Sequence, residues 1–151
     1  GIKLHPEWDS FNPNNRALIH PLMELARARK APVLFHTGYF PSEPGLFWEL
    51  AETFPDVPII FGHMGQRLLA DTLIVAHRCP NIYLETSQAP DWFVDQAAKR
   101  IGAERILYGS NAPFDVPQAE MIKIRMLRAL SEEQKAAIFG GNAARLLRLE
   151  A

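Results

Sequence analysis

The sequence predicts an α/β fold built on a parallel sheet, and three observations carry that expectation. Short apolar runs alternate with longer helical patterns. Each run leads into a polar or glycine-containing loop. The unit recurs at intervals of about 25–30 residues, the signature of successive βα units. The runs are residues 2–5 (IKLH), 32–36 (PVLFH), 57–61 (VPIIF), 81–85 (NIYLE) and 105–108 (RILY). They are too short for buried helices, and several are rich in β-branched or aromatic types, so they read as strands. Helical patterns fill the intervals. Residues 21–30 carry Leu22, Leu25 and Ala26 at i, i+3 and i+4, and residues 45–54 carry Leu46, Phe47, Leu50 and Phe54. Residues 67–79 and 92–101 follow, then 118–130, 132–138 and 143–149 after the last strand. Ser131 to Gln134 has the form of a capping box, and Asn142 stands where an N-cap would open the final helix.

With 151 residues the chain has the length of a single domain, taken here as residues 1–151. It has 16 basic and 17 acidic side chains, and 48% of its residues are hydrophobic. That is the balance of an ordinary globular domain. The near-neutral charge excludes a dedicated nucleic-acid binder, which needs a basic excess. No apolar run approaches a membrane span, and the first ten residues carry no signal-peptide core, so the expected location is cytoplasmic. The lone Cys79 excludes a disulfide framework and a cysteine-rich zinc module. With no basic partner beyond Arg78, it is not expected to be reactive.

Chemistry-bearing residues gather where α/β sheets place their sites, at the C-terminal ends of the strands. The first strand ends in Lys3 and His5, the second in His36-Thr37-Gly38 and the third in Gly62-His63-Met64-Gly65. The fourth ends in Glu85-Thr86-Ser87 and the fifth in Gly109-Ser110-Asn111. Side chains alternate faces along a strand, so Lys3 shares a face with His5, Leu34 with His36, and Tyr83 with Glu85. Two neutral imidazoles from adjacent strands suit a divalent ion such as zinc. A catalytic zinc has three protein ligands and an open position, so two histidines are an incomplete set.

The segments GIKLHP, PVLFHTG, IIFGHMG, NIYLETS, RILYGSNAPF and GGNAARLL stand in this order across essentially the whole chain. Together they resemble the second half of the amidohydrolase-related proteins, the metal-dependent (β/α)8-barrel hydrolases and decarboxylases of the amidohydrolase-2 type. The resemblance implies a partial TIM barrel: five parallel βα units matching barrel strands four to eight, with extra C-terminal helices. It implies that His36 is a metal ligand, that His63 binds metal or substrate and takes part in catalysis, and that Asn111 occupies the position of the family's catalytic aspartate. The implied cofactor is a divalent metal, zinc first. The implied partner is a small-molecule substrate, attacked at a carbonyl-type carbon by metal-activated water or decarboxylated with metal assistance.

Two departures weigh against full activity. The family's opening His-x-His strand is absent, and Asn111 is an amide, which is neither a general base near neutral pH nor a strong metal ligand. Asn111 is open to three readings: a natural loss of catalysis, an introduced change that stops turnover, or a turn residue before Pro113. Asp115 is an alternative carboxylate. Lys3 is either an inward lysine paired with Glu85 or a substrate carboxylate, or a carbamylated metal bridge. His5 is a candidate pocket residue, and Glu85 a candidate for substrate contact or for packing. Trp8, Phe40 and Trp48 are candidates for an apolar wall, while His20 and His77 sit in helical patterns and read as structural. A full barrel needs eight strands. The chain is therefore expected to be a piece of a longer barrel, a homo-oligomer that closes a larger sheet, or an open sheet with helices on both faces. The contrasting class is a non-catalytic binding or assembly protein that keeps only the scaffold.

Overall fold

The computed structural model describes residues 1–149. Five strands form one parallel sheet in the order β1-β2-β3-β4-β5: Ile2–Leu4, Val33–His36, Ile59–Gly62, Ile82–Glu85 and Ile106–Leu107. The order follows the chain without reversal. Right-handed crossovers in an unreversed sheet put every connecting helix on the same face, which is the winding of a (β/α) barrel segment. This corrects the expectation of an open sheet with helices on both faces, because that arrangement needs a reversal of strand order.

The two faces differ as a barrel wall should. Val33, Phe35, Ile59, Phe61, Ile82, Leu84 and Ile106 alternate onto the helix-covered face, and each is fully buried. On the other face, register aligns Lys3, Leu34, Ile60 and Tyr83 in one row. In that row Lys3, Leu34 and Tyr83 are not fully buried. This is the layer that would point into a barrel's interior.

The connecting helices are α1 (Arg16–Ala28), α2 (Trp48–Thr53), α3 (Leu69–Arg78), α4 (Asp91–Ile101) and α5 (Pro117–Arg125). α1 starts five residues earlier than the periodicity predicts, because the Asn15 side chain accepts the Leu18 N–H and opens the helix there, leaving Pro21 inside it. The earlier start sets a different stripe. Ile19, Met23 and Ala26 are buried, while Leu25 is 49% exposed.

The capping box forms as expected: Ser131 Oγ accepts the Gln134 N–H and Gln134 Oε1 accepts the Ser131 N–H. It opens α6 (Glu132–Ala136). From there a π-helical segment, Ala137–Gly141, runs directly into α7 (Asn142–Leu147). Asn142 is therefore not an N-cap. It has helical backbone angles and is completely buried, and its amide donates to the Ala103 carbonyl at 2.8 Å and the Ile106 carbonyl at 2.7 Å. It pins the C-terminal helices to β5. Among the described residues, no helix is long and apolar enough to cross a membrane.

Candidate active site at the carboxyl ends of the strands

Lys3, His5, His36, His63 and Asn111 all line one cavity of about 520 Å³ at the C-terminal ends of the strands, together with Glu7, Trp8, Tyr39, Gln66, Gln88 and Phe114. His36 ends β2, where its backbone pairs in register with Gly62 of β3. His63 comes one residue later on the neighbouring strand, and the two rings meet edge to face with centroids 4.8 Å apart. The His5 ring stacks on His36 at 3.9 Å and on Trp8 at 4.3 Å, so it is sandwiched between them. Its Nδ1 accepts the Trp8 N–H.

His63 is oriented by a carboxylate that never reaches the cavity. Glu85 Oε2 accepts the His63 backbone N–H at 3.0 Å and the Ser87 hydroxyl at 2.8 Å, and its Oε1 accepts the Ser87 N–H at 2.7 Å. Ser87 Oγ in turn lies 2.8 Å from His63 Nδ1. That bond occupies Nδ1 and leaves Nε2 as the free nitrogen. Gly109 lets Glu85 fit, since a Cβ there would stand 1.6 Å from Glu85 Oε1. Thr37 Oγ1 donates to the Gly62 carbonyl and accepts the Gly65 N–H, fastening the β2 and β3 loops together.

Four consecutive residues, His63 to Gln66, have positive φ. Gly65 is required there, because a Cβ would lie 2.1 Å from Thr72 Oγ1. Gln88 (φ 60°) and Asn111 (φ 53°) share the left-handed conformation. Such strain in non-glycine residues collects at functional sites because the surrounding structure holds it for a purpose. Gln66 (φ 52°, ψ −109°) occupies backbone space that glycine favours. Gln66→Gly is expected to raise stability by about 1 kcal/mol in urea denaturation, at the expense of a cavity wall.

The electrostatics keep the imidazoles neutral. Burial, reinforced by His5, His63 and Lys3, drives His36 down to about 3. Burial also lowers His63, against the pull of Glu85, and lowers His5, helped by Lys3. Glu7 Oε1 lies 3.8 Å from His36 Nε2, and with His36 neutral this is no ion pair. The unfolded chain takes up the His36 proton near its ordinary value of 6.5, whereas the folded chain does so only near 3. The unfolded state therefore binds more protons between those values. The His36 contribution to stability is complete above pH 6.5 and is lost as pH falls through that window. Denaturation between about pH 7 and pH 5 is expected to show a steeper loss for the wild type than for His36→Phe, which has no proton to take up.

The remaining candidates divide. Asn111 Nδ2 donates to Asp115 Oδ2 at 2.7 Å, and Gln88 Nε2 donates to the same oxygen at 2.9 Å. These two bonds hold the Asp115 carboxyl below its ordinary range. Asp115 thus stands behind Asn111, outside the cavity lining. Glu85 lies outside the lining as well, with its oxygens committed to His63 and Ser87. Of the expected aromatics, Trp8 lines the cavity and Phe40 and Trp48 do not. Tyr39, Gln66, Gln88 and Phe114 were not signalled by residue type or spacing. The nearest sequence cue is their position, within a few residues of each strand end. Among the described residues, no group of three or more His, Cys, Asp or Glu side chains is placed to hold a metal.

Comparison with known proteins agrees with this fold. Residues 1–149 match the sequence model of the amidohydrolase family. Among solved structures, a TIM-barrel protein from Bordetella bronchiseptica superposes with a TM-score of 0.79 at 24% identity, over 91% of this chain and 52% of its own. A dihydroxybenzoic acid decarboxylase from Polaromonas, solved with manganese and an inhibitor, gives 0.70 at 21% identity, over 93% and 57%. An amidohydrolase from Burkholderia multivorans, solved with zinc, gives 0.71 at 15%, over 87% and 57%. The chain thus spans a little over half the length of these structures. No curated protein is found as a sequence relative.

Proposed function

The chain belongs to the amidohydrolase family, and from that premise we propose that it forms the strand-four-to-eight side of a metal-dependent hydrolase or decarboxylase site. The observation that carries the reading is the His36–His63 pair: two neutral imidazoles on adjacent strand ends, facing one cavity. Neutral nitrogen donors are what a divalent ion takes, and the neighbouring structures solved with manganese and with zinc support such an ion here. His36 and His63 would hold it, with zinc the first expectation. The fit is partial, because no third carboxylate, imidazole or thiolate joins them among the described residues. The further ligands would come from barrel strands beyond these five or from a second copy of the chain. A bound ion would supply Lewis acidity, drawing charge from a carbonyl or carboxylate oxygen and so making its carbon more electrophilic.

The chain's own residues have separable tasks in this reading. Ser87 and Glu85 fix the His63 ring so that Nε2 faces the cavity. The His5–Trp8 stack holds the His36 ring from the other side. Lys3, whose ammonium burial pushes below its ordinary range, takes a substrate carboxylate. Trp8 and Phe114, edge to face at 6.2 Å, close an apolar wall against a small planar substrate. Glu85 acts on substrate only through His63. The Asn111 amide favours a second reading, a scaffold that binds without turnover, since it offers no general base.

Zinc and manganese titrations of the purified chain test the proposal. One ion per chain is expected, with affinity falling at least about tenfold in His36→Ala and in His63→Ala. Equal affinity in all three proteins would remove the basis of the reading.

A further inference from the structure

A second cavity, of about 670 Å³, adjoins the histidine cavity. Tyr39, Gln66 and Gln88 line both, so the two spaces share one wall. Beyond that wall the lining includes Arg67 and Trp92. Sheet order fixes their arrangement. Tyr39 follows β2, Arg67 follows β3 and Trp92 follows β4, so the segment carrying the arginine comes between the segments carrying the two aromatics in sheet order. Tyr39 is 53% and Trp92 58% exposed, with ring area free to be covered. Arg67 is exposed and takes part in no ion pair among the described residues. Among the described residues, it is also the sole charged one lining this cavity. A second, independent observation marks the shared wall: Gln66 and Gln88 both have positive φ. Backbone strain is thus retained at the two amides that separate the cavities.

We infer that the site is two-lobed and accepts an extended aromatic acid, its reacting end at His36 and His63 and its distal planar anionic end beside Arg67, between Tyr39 and Trp92. A guanidinium pairs a carboxylate with two parallel N–H bonds, and aromatic faces cover a planar ring on either side. The wall glutamines supply hydrogen bonds where the ligand passes between lobes. Gln88 keeps its carbonyl for this use, while one of its two amide N–H groups donates to Asp115. This inference rests on the reading of the histidine cavity as the reacting site and adds the class of substrate.

Calorimetric binding of biphenyl-4,4′-dicarboxylate, which spans both lobes, tests the inference. Arg67→Gln is expected to weaken its binding about tenfold, and Trp92→Ala about fivefold. His36→Ala is expected to weaken it as well. Both residues are exposed, so neither variant threatens the fold. The inference is overturned if the wild type does not bind the dicarboxylate, or if both distal variants leave its affinity within about twofold. Dependence on Arg67 without dependence on His36 would instead retain the distal lobe and sink the reading of the histidine cavity.

Discussion

Gly109→Ala is expected to cost about 3 kcal/mol of stability and to release His63 from its fixed orientation. The φ of Gly109 lies outside the left-handed range, so the cost does not come from a positive φ. It comes from a methyl group placed 1.6 Å from Glu85 Oε1 and 2.3 Å from its Cδ. A free glutamate would swing aside. Glu85 is held by the His63 N–H, the Ser87 N–H and the Ser87 hydroxyl, so moving it strands three donors beside a partly buried charge. Urea denaturation measures the loss. Metal affinity in the same protein should fall with it, because Ser87 no longer fixes the His63 tautomer. Glu85→Gln is the milder companion. It keeps the volume but loses one acceptor oxygen, and should fall between the wild type and Gly109→Ala in both measurements.

Asn111→Asp is expected to make stability depend on metal. The amide now donates to Asp115 at 2.7 Å. An aspartate in its place would set two carboxylates against each other at that distance, and two such groups do not both ionise without a cation between them. In chelator the variant should be less stable than the wild type by about 1–2 kcal/mol. With zinc or manganese present the order should reverse, and affinity should rise at least about tenfold as a charged oxygen joins the two imidazoles. Thermal melts with and without metal check both halves. A variant no less stable than the wild type in chelator would show that the Asn111–Asp115 contact is not the one described here.

The strands were readable because each βα unit repeats a short apolar run, a polar turn and a helical stripe, and the family from the resemblance of six ordered segments to its members. His36 and His63 were readable as a pair because both close such a run before a glycine. Register was not. Periodicity placed the α1 stripe on Leu22 and Leu25, while the fold buries Ile19 and Met23, because a side-chain cap at Asn15 outweighs the cost of a proline inside the helix. Asn142 looks like a cap in sequence and is instead a buried clasp on two carbonyls, a role visible only once α7 lies against β5. Glu85 reads as a pocket residue from strand alternation alone. Its carboxylate turns to the backbone of the neighbouring loop, since the space beside Gly109 lets it do so. Gln66 and Gln88 carry no signal of their own, because their positions come from left-handed turns that their residue type does not announce.

We propose that His36 and His63 form a neutral imidazole pair whose free nitrogens face one cavity and a divalent ion. Long-range proton–nitrogen NMR of the histidine rings reads this directly. At about pH 5 the His36 ring should be neutral, and His63 should be fixed in one tautomer by Ser87. Addition of zinc should shift a single unprotonated nitrogen of each, together and in proportion. A His36 ring protonated at that pH, or a pair that responds to zinc no more than His20 and His77, would contradict this reading.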